Sequence, residues 1–128
     1  MAVINGYKEL IVFEKAYKLS MEIFECSKEF PREEKYSLTD QIRRASRSIC
    51  ANISEAWAKK IYEKHFISKL SDSLGEEYET EVWLQYCLDC KYITPAAHQH
   101  LTKEYDEVRK LLLFMMNNSG RFCRKSCE

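Results

Sequence analysis

Hydrophobic residues recur along this chain at intervals of three and four, in four long stretches separated by short polar connectors. Because residues three and four apart lie on one face of an α-helix, this spacing predicts helices. The 128 residues include only three Gly and two Pro, so few positions favour turns. The pattern therefore predicts an all-α protein of packed helices.

Start and stop signals set the predicted boundaries. Pro31 disfavours helical geometry at the residue before it and ends the first helix. Thr94 as N-cap and Pro95 at the first helical position open the fourth. The four predicted helices span about 7–29, 37 or 39 to 60, 63–89 and 95–116. No Gly or Pro separates the second from the third, so their separation stays open.

Each predicted helix carries an apolar stripe that we expect to face the core. The stripes are Leu10, Phe13, Tyr17, Met21 and Phe24; Leu38, Ile42, Ala45, Ile49, Ile53 and Ala56; Phe66, Leu70, Leu74, Tyr78, Val82 and Leu84; and Leu101, Tyr105, Val108, Leu112 and Met115. Because short connectors reverse the chain direction, the predicted fold is an antiparallel up-and-down four-helix bundle. We expect one domain over residues 1–120 and a disordered tail over 121–128.

Composition and charge limit the possible functions. Twenty Lys plus Arg balance twenty Asp plus Glu, so no net charge draws the chain to nucleic acid or anionic membranes. No apolar run approaches the roughly 20 residues of a membrane span, and the N-terminus lacks the pattern of a signal peptide. We expect a cytoplasmic protein that does not act at a membrane.

Six cysteines are many for a cytoplasmic chain, where disulfides are rare. Cys87 and Cys90 have the spacing of half a zinc site, and Cys123 with Cys127 offers another half. However, the first pair closes a helix instead of lying on a tight turn. We therefore expect free thiols, with no bound metal and no cofactor.

Motifs of catalysis are absent from the sequence. There is no Gly-rich phosphate loop and no Glu-x-x-His pair of a di-iron site. His65, His98 and His100 show no arrangement with a nucleophile. The prediction is a protein that is not an enzyme and has no small-molecule substrate.

One polar pair stands out in the second helix, where Asn52 and Glu55 lie on or beside the predicted inner face. A buried amide needs hydrogen-bond partners, and the third helix offers Glu76, Glu79 and Thr80. Such a polar core is best known as a device that fixes helix register and oligomeric state. A ligand site or an acid–base pair is the alternative interpretation.

Charges are segregated along the second and third helices. The candidate nucleic-acid-binding residues are Arg43, Arg44, Arg47, Lys59, Lys60 and Lys64. Residues 72–81 carry five acids and no base. Repeated around an oligomer, the basic stretch would form a band able to hold a phosphate backbone. Alternatively, the basic and acidic stretches meet and neutralise each other.

Several segments resemble the four-helix-bundle family encoded within intervening sequences of bacterial 23S ribosomal RNA genes. They are YKEL at 7–10, FEKA at 13–16, FPREE at 30–34, DQIRRA at 40–45, SICANISEA at 48–56, ET at 79–80 and WL at 83–84. The resemblance implies a small bundle that assembles into homopentamers and has no assigned biochemical role. The family has a distant branch, the accessory proteins of diversity-generating retroelements. Similarity to that branch implies nucleic-acid binding through a basic surface. Cys50 and the pair Ala56-Trp57 depart from the family pattern.

Two hypotheses follow. The preferred one is a non-enzymatic homo-oligomer, pentameric by resemblance, that serves as an interaction scaffold. The other is an accessory protein that binds RNA or DNA through the basic surface.

Overall fold

Four helices form the protein in the computed structural model, which describes residues 3–123. They are α1 (Ile11–Ser27), α2 (Leu38–Ala58), α3 (Glu63–Asp89) and α4 (Pro95–Asn117). Short 3-10 turns lie before α1, between α1 and α2, and after α4. The described residues contain no strand, so the predicted all-α four-helix fold is confirmed, and α2 and α3 are separate helices.

The helices form a square in which α1 and α3 each contact both α2 and α4 and occupy diagonal corners. Side-chain contacts show that α2 and α3 run in opposite directions. On the α2–α3 side, Lys69 pairs with Glu55 at 2.6 Å, whereas Ser73 further along α3 donates to the carbonyl oxygen of Ile49, earlier in α2, at 2.8 Å. None of the helices over residues 3–123 is long and apolar enough to cross a membrane.

The contact between α1 and α4 is the least extensive of the four sides. Polar side chains bridge it: Lys15 Nζ forms an ion pair with Glu107 Oε2 at 2.7 Å, and His100 Nε2 lies within hydrogen-bond distance of Glu22 Oε1, at 2.9 Å. An open cavity of about 350 Å³ lies between these bridges. We call this side of the bundle the α1–α4 seam.

The predicted inner faces of α2 and α4 are confirmed. All six residues of the α2 stripe and all five of the α4 stripe are buried. Thr94 also caps α4 as predicted, because its Oγ1 accepts from the backbone N–H of Ala97 at 3.1 Å. These two helices form opposite sides of the core, to which α1 and α3 contribute different residues from those predicted.

The predicted inner face of α1 is wrong. Tyr17 and Met21 are 54% and 43% exposed, and only Leu10 of the predicted stripe is buried. The face that packs into the core consists of Val12, Ala16, Leu19 and Ile23. Both stripes have helical spacing, and the one with smaller side chains faces inward because it lets the helix approach its neighbours closely.

The predicted inner face of α3 is wrong in its second half, where Tyr78 and Val82 are about half exposed. Leu74 is partly buried. The residues that are buried alternate in spacing between four and three: Phe66, Leu70, Ser73, Glu77, Thr80, Leu84 and Cys87. This is the heptad spacing of coiled-coil packing, and it continues through three polar residues that hydrophobicity alone assigns to the surface.

The C-terminal segment remains structured beyond residue 120. Phe122 stacks on Phe66 with 6.1 Å between ring centres, and Ser119 donates a hydrogen bond to the Glu63 carboxylate. Residues 121–123 thus pack on the bundle, in contrast to the predicted disorder from 121. The rest of the predicted tail, with Cys127, lies outside the described residues.

Candidate interaction surfaces

The predicted polar core of Asn52 and Glu55 does not form. Asn52 is half-buried, and its Nδ2 donates to the carbonyl oxygen of Ser48 at 2.9 Å, within the same helix. Glu55 is exposed and pairs with Lys69. Asn52 can satisfy its amide locally because the carbonyl one turn earlier is within reach, so it needs no partner on α3.

Thr80 is buried as predicted, and its Oγ1 donates to the carbonyl oxygen of Glu76 at 2.8 Å. The Glu76 and Glu79 carboxylates lie instead at the α2–α3 surface, in a polar recess of about 220 Å³. The recess is lined by Gln41, Arg44, Ala45, Ser48, Glu76 and Glu79. Partial burial and the neighbouring Glu79 raise the pKa of Glu76. The positive charge of Arg44 partly offsets this increase. Part of the basic stretch thus meets the acidic one within a single chain.

The fully buried acid is Glu77, which the sequence did not single out. Within residues 3–123, neither of its carboxylate oxygens has a hydrogen-bond partner. Burial, reinforced by nearby Glu81, raises the pKa of Glu77 to about 9, so the carboxyl is neutral at pH 7. Its position in the heptad spacing of α3 was the one signal that could have identified it.

Two of the predicted basic residues surround an aromatic ring of α1. The guanidinium carbons of Arg43 and Arg47 lie 4.8 and 5.6 Å from the centre of the Phe24 ring, and Lys28 Nζ lies 4.9 Å from it. Arg43 Nε also donates to Ser27 Oγ at 2.7 Å. In the part of the chain that the structure describes, neither arginine forms an ion pair with a carboxylate.

The other predicted basic residues lie apart from this cluster. Arg44 faces the acidic recess on α3. Lys60 sits 3.6 Å from the centre of the Trp57 ring, and Lys59 and Lys64 are exposed near the turn between α2 and α3. Twelve residues of helix span about 18 Å, so Arg47 and Lys59 are far apart along α2. The predicted basic surface is thus divided into three parts.

After the bundle has formed, α1 and α3 each present a face of exposed or half-buried apolar side chains, and Leu113 and Phe114 of α4 are also exposed, at 37% and 43%. The α1 face consists of Phe13, Tyr17, Met21 and Phe24. The α3 face consists of Tyr78, Val82 and Tyr86, which are 50%, 51% and 54% exposed. The faces lie on diagonal helices, and apolar surface of this kind typically marks a protein–protein contact.

The cysteines with metal-site spacing are held apart. Cys87 is buried and Cys90 exposed at the end of α3, whereas Cys123 lies near Glu63 at its start. A helix of 27 residues is about 40 Å long, so Cys123 cannot share an ion with the other two. The described residues contain no group of three His, Cys, Asp or Glu placed to hold a metal.

Comparisons with known proteins agree with this architecture. Residues 8–113 match the family described as 23S rRNA-intervening sequence protein. Among solved structures, the chain is similar to a protein of unknown function from the S23 ribosomal protein family of Bacteroides thetaiotaomicron, with 31% identity and a TM-score of 0.76. That similarity covers 84% of this chain and 96% of the other. The comparison with curated proteins gives no match. This chain belongs to the 23S rRNA-intervening sequence protein family.

Proposed function

We propose that this protein is a non-enzymatic homo-oligomer that acts as an interaction scaffold. The observation that carries the proposal is the exposure of the α1 face and the α3 face. A helix in an isolated bundle needs only one apolar face, yet α1 and α3 each have a second. Burying half-exposed rings such as Tyr17 and Tyr86 between copies removes apolar surface from water and stabilises the assembly.

Five copies are the expected number, on the family resemblance described above. Sedimentation equilibrium and native mass spectrometry at micromolar concentration test the proposal. We expect a single defined mass several times that of the chain. A monomer at these concentrations contradicts it.

Nucleic-acid binding is the second candidate, and the cluster around Phe24 favours it. Arg43 and Arg47 project from the same face of α2, have no carboxylate partner in the described residues, and adjoin an aromatic ring. Guanidinium groups bind phosphates, and bases stack on exposed rings. An oligomer would repeat this cluster once per copy and so multiply a weak contact.

A gel shift with a structured RNA at several salt concentrations tests the second candidate. The double variant Arg43→Gln/Arg47→Gln should weaken binding. It should also make the slope of log K against log salt shallower by the amount expected for the loss of about two phosphate contacts. The matched control Lys59→Gln/Lys60→Gln also removes two charges but leaves the Phe24 cluster intact. An equal loss in both variants, or no binding by the natural chain, contradicts this candidate.

A further inference from the structure

We infer that the α3–α4 side of the bundle contains a proton-dependent conformational switch. In its buried state, Glu77 carries its proton and lies in the core. In its surface state, Glu77 is ionised and its carboxylate pairs with Arg109 between the two helices. The switch lies within one subunit, so the inference goes beyond the proposed scaffold function and does not depend on it.

The buried state contains a polar layer to which each of the four helices contributes one residue. Ser20, Cys50, Glu77 and Tyr105 are at most 7% exposed. Burial, together with the nearby Cys50 and Glu77, raises the pKa of Tyr105. Burial also raises the pKa of Cys50 to about 11, an increase that the adjacent Ser20 hydroxyl partly offsets. These mutual effects indicate that the four side chains lie close together.

The polar groups of this layer are not equally satisfied. Ser20 Oγ donates to the carbonyl oxygen of Tyr17 at 2.7 Å, whereas the Glu77 carboxyl and the Tyr105 hydroxyl have no hydrogen-bond partner within residues 3–123. A buried polar group without a partner has lost its contacts with water and gained none in exchange. A position in which the Glu77 carboxyl is hydrogen-bonded therefore competes with the buried one.

A network of charged side chains lies beside Glu77 on the α3–α4 side. Arg109 of α4 pairs with Glu81 of α3 at 3.1 Å and also with Asp106. Lys110 Nζ lies 3.0 Å from Asp106 Oδ2 and offers this acid a second cation. Arg109 can therefore leave Asp106 to Lys110 and accept another carboxylate in its place.

Glu77 is placed to become that carboxylate. It lies one helical turn before Glu81, and residues four apart are neighbours on the surface of a helix. Glu81, Arg109 and Asp106 are the charged groups close enough to affect its pKa. A change of side-chain rotamer can therefore bring the Glu77 carboxylate to Arg109 while α3 stays helical.

The two states differ in the protons that they bind. In the buried state, burial reinforced by Glu81 raises the pKa of Glu77 to about 9. In the surface state, contact with water and the positive charge of Arg109 favour the ionised form and lower this pKa. A rise in pH therefore favours the surface state, by about tenfold per pH unit between the two pKa values.

Other titratable groups also face the layer. Glu22 of α1 lies near Tyr105 and within hydrogen-bond distance of His100 Nε2, at 2.9 Å. Burial raises the pKa of Cys50 to about 11 and that of Tyr105 well above its ordinary value. Both groups therefore keep their protons over the pH range in which Glu77 loses its own.

Infrared difference spectroscopy from pH 6.5 to 9.5 tests the inference, because the C=O stretch of a protonated carboxyl is distinct from the bands of carboxylates. The natural chain should show this band at pH 6.5 and lose it by pH 9.5, and Glu77→Gln should lack it throughout. Arg109→Gln removes the partner of the surface state and should move the loss of the band to higher pH. Arg109→Lys keeps the positive charge, and Arg32→Gln removes an exposed charge on the connector between α1 and α2. Both should lose the band at nearly the natural pH.

Crystal structures at pH 6.5 and 9.5 distinguish movement of Glu77 from ionisation in place. We expect its carboxyl beside Tyr105 at the lower pH and within hydrogen-bond distance of Arg109 at the higher pH. A carboxyl that keeps one position at both pH values overturns the inference, as does a natural chain without a band that depends on Glu77. Loss of the band together with helical circular dichroism also overturns it, because the whole protein then unfolds. The mass of the assembly tests the proposed function separately.

Discussion

Glu77 on α3 and Tyr105 on α4 are buried near each other in the core, and in the described part of the chain neither has a hydrogen-bond partner for its side chain. Glu81, Asp106 and Arg109 are the charged groups around Glu77. The two acids and burial outweigh the single arginine, so the Glu77 carboxyl keeps its proton at neutral pH.

This buried acid predicts that stability falls as pH rises. The unfolded chain releases the Glu77 proton near pH 4.3, whereas the folded chain holds it until about pH 9. Between these values the folded state binds more protons than the unfolded state, so the free energy of unfolding decreases as pH rises, by roughly 1 kcal/mol per pH unit. Glu77→Gln should remove this slope and stabilise the protein at pH 8. Urea unfolding from pH 5 to 9 at fixed protein concentration measures the free energy of unfolding of both proteins, and hence its slope against pH.

The control for this prediction is Glu33→Gln, which removes an exposed carboxylate from the connector between α1 and α2. It should leave the slope of stability against pH unchanged. Equal slopes for the natural chain and Glu77→Gln would show that the buried carboxyl does not hold its proton.

The inner face of α1 observed in the structure predicts that the same substitution destabilises the protein by different amounts at two positions of this helix. Ile23 is 1% exposed in the core, and Ile23→Ala should destabilise the protein by roughly 2 to 5 kcal/mol through lost burial and a cavity. Ile11 is 64% exposed and lies outside the α1 face, so Ile11→Ala should cost under about 0.5 kcal/mol. Denaturant unfolding compares the free energies of unfolding of the two variants with that of the natural chain. Similar costs would show that α1 is rotated from the position described.

The cap of α4 predicts a moderate and specific loss. Thr94→Ala removes the oxygen that accepts from the Ala97 N–H and should cost about 1 kcal/mol, whereas Thr94→Ser keeps that acceptor. Thermal unfolding should therefore place Thr94→Ser near the natural chain. If both variants lose equally, the threonine methyl group matters more than the hydrogen bond.

Burial predicts the order in which cysteines react with a thiol reagent. Cys90 is exposed, whereas Cys87 and Cys50 are buried and burial raises their pKa values to about 12 and 11. In a Cys127→Ser background, Cys90 should react first and the two buried thiols only after unfolding. Cys90→Ser should remove the fastest phase of labelling. A fast phase that survives this change would contradict the assignment.

The sequence predicted the fold because helix boundaries and two of the four inner faces depend on local signals. Pro95 and Thr94 start α4 as predicted, and the α2 stripe from Leu38 to Ala56 is buried throughout. In α2 a single apolar stripe is present, and in α4 one stripe is continuous from Leu101 to Met115, whereas the other large apolar residues are confined to positions 111–116. Spacing then leaves one choice of inner face.

The sequence could not choose between competing stripes. In α1, Tyr17 and Ile23 belong to different faces with the same period, and only contact with neighbouring helices decides which is buried. In α3, the true inner face contains Glu77, which a hydrophobicity pattern places outside. The predicted polar contacts between α2 and α3 are wrong for a related reason. The Asn52 side chain donates within its own helix, which depends on its rotamer and not on the spacing of residues in the sequence.

The α1–α4 seam makes the subunit mechanically uneven. Its ion pairs, such as Lys15 to Glu107, weaken with ionic strength, as does the pair of Lys69 and Glu55 between α2 and α3, but the seam is the side with the least extensive contact between helices. We therefore expect concentrated salt to loosen this side of the bundle first, so that backbone amides of α1 exchange with deuterium sooner than those of α2. We expect motion within the subunit to concentrate at the α1–α4 seam while the apolar core stays packed.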